Sequence, residues 1–487
     1  MRTKSNIECP RRSIQTVEGG VTSDLEGLAR RLLDRDVPEE KLLARIVREI
    51  VDFKDASQKE AGQLASAVVK EVRTSSTALR NSGPNVLRPI RCGVTMGNQG
   101  VGCRGTGDFF VHRLVAHLSA TGQGAILTPE DMDDAGAIET GPGTYLVAKM
   151  EGMHSRLSDF PFLAGFHVAR AALRDVYVKG AVPKGLLVDV HLADDADVGK
   201  LLDFTAGVAC VSELSSCPIL GGSTLRIGGD MVIGTRMTGG VSVVGTATRL
   251  FPRRNVRRGD AIVMTEGAGG GTICTTAIYS GRPELVEETL NLRFLTAARA
   301  LIDGRNAGSI RCLSDVTNGG IRADLHEIGK EAGCGSIVDE EKIVPLVNPL
   351  VKELLDDNGV DYLGVSLDSL LVFCEERAAA SVIGELSNVG VRANRIGRTT
   401  ADPAVRLLRK GGVVELFPRF RESAYTPIKK VVDSRRQPKP LLMEQRLRSA
   451  ARRAGLKKQR VVEAIRKKEL TYGSGARCAP GDRAGCP

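Results

Sequence analysis

The chain has 487 residues, which is long enough for two or more domains with hydrophobic cores of their own. Its 55 glycines, 4% aromatic residues and lack of Trp favour many tight turns and cores built from aliphatic side chains. No run of about 18 apolar residues occurs, and the first residues, MRTKSNIECPRRS, lack the apolar core of a signal sequence. We therefore expect a soluble, cytoplasmic protein without a membrane span. Eleven cysteines without paired CxxC spacing predict reduced thiols rather than a disulfide framework or a structural zinc site.

Residues 1–85 contain three stretches with the apolar spacing of amphipathic helices. Ser23 and Asp24 can cap the first helix, and Pro38 suits an early position of the second. The third helix is predicted over Lys59–Val72. We expect this region to be an all-helical extension that packs over the rest of the chain or binds a partner.

A glycine-rich segment, Gly97–Asp108, precedes the pattern FFVHRLVAHL, which predicts a helix. Four glycines within eight residues would let backbone N–H groups approach an anion, and the helix N-terminus would favour a phosphate. Cys103 is either a small turn residue or a thiolate whose pKa is lowered by Arg104 and by the helix N-terminus. Asp108 is predicted to cap the helix rather than to bind a metal ion.

The stretch EGMHSRLSDFPFLAGFHVARAALRDVYVKGAVP, residues 151–183, places acidic residues before and after a predicted amphipathic helix. Asp175 falls near the end of this helix, which stops at Lys179-Gly180-Ala181-Val182-Pro183 before the β-rich run GLLVDVHL. Carboxylates held in this way can bind Mg2+ together with phosphate. Lys179 could pair with Asp175 or with a phosphate, and a solvated turn lysine is the alternative. The apolar positions that predict the helix are Phe162, Phe166, Ala169, Ala172, Leu173 and Val176.

The pattern Asp-Val-Tyr-x-x-Gly-x-x-Pro after an Ala-rich helix resembles the ATP-binding half of selenophosphate synthetase. It is similar to the same part of other members of the aminoimidazole ribonucleotide (AIR) synthetase superfamily, such as thiamine-monophosphate kinase and the carbamoyl-dehydrating hydrogenase maturation factor. Further motifs that resemble the family follow in the same order. They are Gly221-Gly222-Ser223-Thr224, the run from Gly259-Asp260 to Thr265-Glu266-Gly267, and Ser314-Asp315-Val316-Thr317-Asn318-Gly319-Gly320.

The resemblance implies an α+β core of two domains and a homodimer formed through the N-terminal domains. The N-terminal ATP-binding domain is expected over residues 86–247 and the C-terminal domain over residues 248–433. The implied cofactors are ATP and Mg2+, with K+ as a further candidate ion. The loop Gly267–Gly271, in the second domain, would serve a structural role or bind the acceptor.

Carried onto this chain, the family's metal ligands fall on Glu151, Asp175 and Asp315, and Asp159 would lie close to the phosphates. Glu151 stands where the family usually has Asp. The residues implied to bind the nucleotide are Gly102, Gly105, Asp159, Lys179, Gly221, Gly222 and Thr224.

Cys103 and Arg104 fall where selenophosphate synthetases carry a Cys or selenocysteine followed shortly by Lys, and we take both as candidate catalytic residues. Arg is a departure from that pattern, because its planar guanidinium stays charged and cannot replace a lysine that changes protonation.

The resulting expectation is ATP-dependent phosphoryl transfer to an oxygen or chalcogen acceptor. Phosphorylation of thiamine phosphate and activation of an amide or carbamoyl group remain alternatives. A nucleotide-binding protein that has lost turnover is the alternative of another class.

The basic character of the chain is confined to its end. Residues 434–487 contain 15 Lys/Arg and 4 Asp/Glu, a net charge of +11, so that the rest of the chain carries −1 of the total +10. Leu441–Leu470 predicts one basic helix, or a helix pair interrupted near Gly455, and a disordered end is expected from Gly473. Such a tail could contact nucleic acid or another polyanion, and a solubilising or partner-docking extension is the alternative.

Overall fold

The computed structural model describes residues 22–80, 85–120, 124–422, 424–434 and 439–475. Predictions about residues 1–21 and 476–487 lie outside the described residues. Within the described ranges, no helix is both long enough and apolar enough to cross a membrane. The cysteines in these ranges are free thiols.

Helices are distributed along the whole described chain. In order they are α1 (Leu25–Leu33), α2 (Glu39–Phe53), α3 (Gln58–Arg80), α4 (Met96–Gln99), α5 (Thr106–Ser119), α6 (Pro161–Tyr177), α7 (Gly199–Ser215), α8 (Gly271–Tyr279), α9 (Arg293–Ile302), α10 (Gly320–Ala332), α11 (Glu340–Ile343), α12 (Pro349–Asp357), α13 (Ala379–Asn388), α14 (Pro427–Ser434) and α15 (Pro440–Gly475).

The strands form separate sheets. In chain order they are β1 (Thr22–Asp24), β2 (Ala125–Leu127), β3 (Gly136–Gly141), β4 (Thr144–Gly152), β5 (Val182–Leu192), β6 (Ile219–Arg226), β7 (Val232–Gly234), β8 (Met237–Ala247), β9 (Ala261–Thr265), β10 (Ile310–Asp315), β11 (Gly335–Asp339), β12 (Leu370–Cys374), β13 (Ala393–Thr400), β14 (Val405–Arg409) and β15 (Gly412–Glu415). The sheet orders are β1-β7, β2-β3-β4-β8-β5-β6 and β10-β12-β9-β13-β11-β14-β15.

Contacts divide the chain into two compact units. The first unit contains the residues up to Gly83 together with His191–Val198 and Thr224–Met237. The second unit contains Pro84–Val190, Gly199–Ser223 and all residues from Thr238 onward.

The first unit is built mainly from α1, α2 and α3. Asp24 caps α1 by accepting a hydrogen bond from Gly27 N at 2.9 Å, and Pro38 immediately precedes α2, so both predicted helix starts are confirmed. The third predicted helix is also confirmed and extends further, to Arg80. The expectation of an all-helical region was wrong, because β1 pairs in antiparallel fashion with the distant β7. A three-residue strand is too short for its own sequence to show an alternating pattern.

In the second unit, α6 and α7 pack against each other and α6 packs against β4 of the six-stranded sheet. The predicted helix over residues 162–176 is confirmed, and the apolar face of α6 is buried. The chain leaves this helix at Gly180, which adopts φ +86°. A side chain there would meet Arg249 O at 2.3 Å, so only glycine allows the turn into β5.

The seven-stranded sheet of the second unit carries a large apolar core with α8, α10, α12 and the segments around them. Its β11–β14 pair is parallel, whereas β10–β12, β12–β9, β13–β9, β11–β13 and β14–β15 are antiparallel. Helices and mixed sheets in this arrangement confirm the expected α+β class. The exact domain limits stay a prediction.

The basic segment after Lys439 forms one continuous helix, α15, and Gly455 lies inside it. Several of its cations bind backbone carbonyl groups of the same unit. Lys457 Nζ donates to Val86 O at 2.9 Å, and Lys458 Nζ donates to Leu118 O at 2.8 Å. These contacts attach α15 to the second unit, and binding of nucleic acid or another polyanion stays a prediction.

Candidate active site

A cavity of about 810 Å3 lies within the second unit, which is a size typical of small-molecule sites. Residues of β4, α6 and β10 line it together with the start of α8 and with Arg104 and Lys429. Three of the expected metal ligands, Glu151, Asp175 and Asp315, are among the lining residues. The cavity therefore brings together carboxylates that are far apart in the sequence.

Local structure explains the position of each charged group. Lys149 and Glu151 are two residues apart on β4, so strand alternation turns both to the same side. Arg174 and Asp175 occupy the last turn of α6, and Asp315 is the final residue of β10. We call these five residues the carboxylate cluster.

Two cations join the three carboxylates of the cluster. Lys149 Nζ is 2.7 Å from Asp175 Oδ2 and 3.4 Å from Glu151 Oε2. Arg174 Nε is 3.3 Å from Asp175 Oδ1 and also contacts Asp315 Oδ2. Both oxygens of Asp175 thus face a positive charge of the protein itself.

Burial dominates the electrostatics of the cluster. It raises the pKa of Asp315 well above its usual value, because the opposing charge of Arg174 does not compensate for lost hydration and for the nearby Asp175. Burial alone would lower the pKa of Lys149, but Asp175 and Glu151 more than offset it, so that pKa is raised. Lys149 and Arg174 are therefore permanently charged near neutral pH.

The cluster does not fit the predicted magnesium site as it is arranged. Mg2+ requires an octahedral set of oxygen ligands, and here the oxygens of Asp175 are paired with cations. One oxygen, Asp315 Oδ2, is buried without a hydrogen-bond partner, because its contact with Arg174 lacks hydrogen-bond geometry. Among the described residues, no group of three or more His, Cys, Asp or Glu is placed to hold a metal ion.

Lys179 lies in a second buried ionic network and does not line the cavity itself, although its partners Asp133 and Asp134 do. Its Nζ is 2.5 Å from Asp133 Oδ1 and 3.1 Å from Asp134 Oδ2, and its side chain is 0% exposed. Arg253 contacts the same two carboxylates. The expected partner Asp175 and the solvated-turn alternative were both wrong, because the turn after α6 points Lys179 inward against β10, where Leu313 O accepts a hydrogen bond at 2.9 Å.

Asp108 organises the glycine-rich segment from its place in the first turn of α5. Its carboxylate accepts hydrogen bonds from Gly102 N at 3.0 Å and Arg104 N at 2.9 Å. These N–H groups are therefore satisfied within the protein rather than directed at an anion. Gly105 lies at the start of α5 beside Arg419, whose carbonyl oxygen accepts a hydrogen bond from Thr106 N at 2.9 Å.

Of the two candidate catalytic residues, Arg104 lines the cavity and Cys103 does not belong to the lining. Arg104 Nη2 donates to Thr317 Oγ1 and Nε donates to Asn318 O, both at 3.3 Å. Of the two alternatives for Cys103, the thiolate with a lowered pKa is not supported, since burial raises the pKa of this thiol and the charges of Lys429 and Arg421 offset burial only in part. Cys103 occupies a turn, where its N–H donates to Gly100 O.

The remaining predicted nucleotide-binding residues lie outside the cavity lining. Asp159 is 52% exposed and pairs with Lys200 at 2.8 Å. Gly221, Gly222 and Thr224 were expected to form a turn, but they belong to the exposed strand β6. The reason is close packing: a side chain at Gly222 would meet Val188 O at 2.0 Å, so glycine is what lets these backbones approach.

Sequence reasoning missed several groups of the cavity. His154 Nε2 is 3.3 Å from Thr272 Oγ1, and Thr272 donates to Asn318 Oδ1 at 2.7 Å. Burial, followed by the charges of Lys429 and Arg174, lowers the pKa of His154 to about 4. The glycines before Thr272 indicated a structural or acceptor-binding loop, whereas nothing near Lys429 in the sequence connected it with this site.

Two family models match the chain. "AIR synthase related protein, N-terminal domain" covers residues 132–247, and "AIR synthase related protein, C-terminal domain" covers residues 257–410. Both matches lie in the second unit apart from the short segments 191–198 and 224–237.

Similar proteins support the same assignment. The chain is 44% identical over 456 residues to the uncharacterized protein MJ1416 of Methanocaldococcus jannaschii, which covers 92% of this chain and 100% of that protein. It is 28% identical over 247 residues to selenide, water dikinase of Myxococcus xanthus, covering 50% of this chain and 67% of the dikinase. It is 25% identical over 312 residues to phosphoribosylformylglycinamidine synthase subunit PurL of Metallosphaera sedula, covering 62% of this chain but only 42% of PurL.

Solved structures show the same fold. A chain of a HypE–HypF complex superposes with a TM-score of 0.50 at 19% identity, covering 60% of this chain and 95% of that chain. The protein tt0281 from Thermus thermophilus superposes with a TM-score of 0.50 at 23% identity, covering 65% of this chain and 98% of that chain.

The sheets, helices and charged cavity of the second unit define an α+β protein with the two-domain AIR-synthase architecture. The chain belongs to the AIR synthase-related family, within the AIR synthetase and selenophosphate synthetase superfamily. The resemblance noted in the sequence is thereby confirmed. Members of this superfamily are ATP-dependent enzymes.

Proposed function

We propose that the cavity binds ATP and that the protein transfers a phosphoryl group from ATP to an acceptor bound beside it. The proposal rests on the cavity itself. Residues from both family-matched segments line this cavity, and several of them are paired charged side chains. Homology to ATP-utilising enzymes suggests that the ligand is ATP. The cavity offers a place where the phosphoryl donor and the acceptor can lie next to each other.

Three features of the cavity suit a phosphate chain. Gly270 precedes α8 and Gly271 and Thr272 begin it, and the N-terminal end of a helix favours an anion through its N–H groups and the helix dipole. Arg104 brings a guanidinium group to the cavity, and Lys429 brings an ammonium group that lies 3.9 Å from a Tyr425 ring centroid. Such groups stabilise the charge that develops on a transferring phosphoryl group.

The proposed acceptor atom is oxygen rather than a chalcogen. The name of selenide, water dikinase states that this relative acts on selenide. In the present chain, the raised pKa of Cys103 and its position outside the cavity lining do not favour delivery of a chalcogen through that thiol. The acceptor would then be a hydroxyl or phosphate oxygen.

A protein that binds the nucleotide without turnover is the second candidate. It is favoured by one observation: Lys149 and Arg174 already pair with the carboxylates that would otherwise hold a catalytic ion. We also propose that the protein is a homodimer, since β6 is an exposed edge strand of the six-stranded sheet.

Phosphorus-31 NMR of the full chain with ATP tests the first proposal, with selenide and with hydroxyl acceptors in separate samples. Calorimetry on the same samples measures ATP affinity. We expect ATP to be consumed when an oxygen acceptor is present, and we expect Lys429→Met to weaken ATP binding by about tenfold.

Lys430→Met is the matched control, because Lys430 is the neighbouring residue of α14 and its Nζ donates to Asn358 O instead. Tight ATP binding without any product would favour the nucleotide-binding protein. No ATP binding in wild-type protein, or equal affinity in the two variants, would refute the proposed site.

A further inference from the structure

Lys149 and Arg174 contact the three carboxylates that were expected to share an ion, Glu151, Asp175 and Asp315. Lys149 contacts Asp175 and Glu151, and Arg174 contacts Asp175 and Asp315. Each cation therefore links two of the three carboxylates. A bridging divalent ion would make the same set of links.

We propose that Lys149 and Arg174 are built-in counter-ions that replace a divalent metal ion at the carboxylate cluster. The site then takes a phosphate-bearing ligand without a divalent ion on these three carboxylates. The exclusion of metal is independent of the reaction, whereas the identity of the ligand as ATP rests on the proposed function.

Arg174 is held in place from its other side. Its Nη1 is 2.9 Å from Asp368 Oδ1, and Asp368 is also 2.8 Å from Arg170 Nη2. Arg170 is fixed in turn by two backbone carbonyls, those of Thr289 at 2.8 Å and Asn291 at 2.7 Å. An incoming metal ion could not displace Arg174 without breaking this chain of buried contacts.

The chemistry of the two side chains suits a structural role. The guanidinium of Arg174 presents its donors as a planar fork, so that it donates hydrogen bonds to Asp175 and Asp368 while its charge also contacts Asp315. Lys149 supplies a point charge between Asp175 and Glu151. A divalent ion entering beside them would meet two like charges in a poorly hydrated site.

If Lys149 and Arg174 replace the metal ion, an anionic ligand must be bound by other positive groups of the cavity. Because Lys149 and Arg174 are engaged by the carboxylates of the cluster, the charge of the ligand is left to Arg104, Lys429 and the start of α8, which line the same cavity. Those groups carry no requirement for a metal ion. ATP binding should accordingly not require Mg2+ and should persist in EDTA.

The direct test uses Mn2+ alone as the probe, followed by electron paramagnetic resonance of the full chain. We expect no Mn2+ bound at the cluster in wild-type protein. The double variant Lys149→Met, Arg174→Gln should expose the carboxylates and raise Mn2+ affinity by about tenfold or more. Lys352→Met, Arg299→Gln is the matched control, because both of these residues are in helix-surface ion pairs.

Wild-type protein decides the question even if the double variant does not fold. One bound Mn2+ that is lost in Asp175→Asn, either without or with ATP, would overturn the proposal, and the absence of any Asp175-dependent Mn2+ in both conditions would support it. An ATP affinity that rises about tenfold on adding Mg2+ would also count against it. Failure to bind ATP in either condition would refute the proposed function while leaving the Mn2+ result intact.

Discussion

The buried lysine Lys179 provides a sharp test of how the second unit is held together. Its ammonium group contacts Asp133 and Asp134 and donates to the carbonyl oxygens of Leu313 and Phe251 at 2.9 and 3.3 Å. Replacing it with Met keeps much of the side-chain length but removes the charge and leaves these acceptors without a donor.

The loss of unfolding free energy in Lys179→Met can be estimated from the contacts that remain. Breaking a fully buried ion pair costs about 3–5 kcal/mol, and each buried carbonyl left unpaired costs about 1 kcal/mol within that total. Arg253 still contacts both carboxylates, so the loss should lie near the lower end, about 3 kcal/mol. For a unit of roughly 380 residues, whose unfolding entropy is about 2.1 cal/mol/K per residue, such a loss lowers the melting temperature by about 4 °C.

Scanning calorimetry of wild type, Lys179→Met and Lys200→Met measures the effect. Lys200→Met is the control, because Lys200 pairs with the half-exposed Asp159, and such pairs contribute about 0–1 kcal/mol. A melting temperature of Lys179→Met equal to that of the control would refute the idea that the network stabilises the fold. Weakened ATP binding by a fully stable Lys179→Met variant would instead restore the phosphate-binding role first expected for this lysine.

Two other predictions concern the cavity and the exposed strand. Because the pKa of His154 is about 4 in the folded protein, the unfolded chain binds an extra proton between pH 6.5 and 4, and stability falls as the pH is lowered through that window. Urea unfolding should show wild type losing about 2 kcal/mol more than His154→Asn between pH 7 and pH 5, and parallel losses would contradict the buried neutral imidazole. Light scattering should give twice the chain mass for wild type and a single chain mass for Leu220→Glu in β6, with Leu350→Glu on α12 as the control. A monomeric wild type would exclude the homodimer.

Apolar periodicity identified the helices that bury one face. It located α1, α2 and α6 within a few residues, because their buried positions recur three and four residues apart. It could not locate β1, since its strand partner, β7, lies about two hundred residues away. Glycine was the least reliable guide: Gly180 makes the expected turn, whereas Gly222 allows strands to approach and lies in no turn at all.

The carboxylates of the candidate site could be read from the sequence, but their partners could not. Lys149 is two residues before Glu151 and Arg174 is next to Asp175, so the sequence placed cations beside both expected ligands. Whether those cations point at the carboxylates depends on how α6 packs against β4. Lys429 comes from a helix far along the chain, and no local pattern relates it to the cavity.

The chemistry of the cluster is decided by the balance of charge around its carboxylates rather than by their presence. Asp175 and Asp315 are buried while Glu151 beside them is partly exposed, and two ionised carboxylates cannot be buried together unless a cation or a proton compensates for their charge. A divalent ion could supply this compensation, but so can two side chains held in position by packing. In this chain Lys149 and Arg174 already contact the carboxylates, and Arg174 is also paired with Asp368. The family motif therefore predicts where the charge lies, and the residues beside the motif decide whether a metal ion or the protein itself neutralises it.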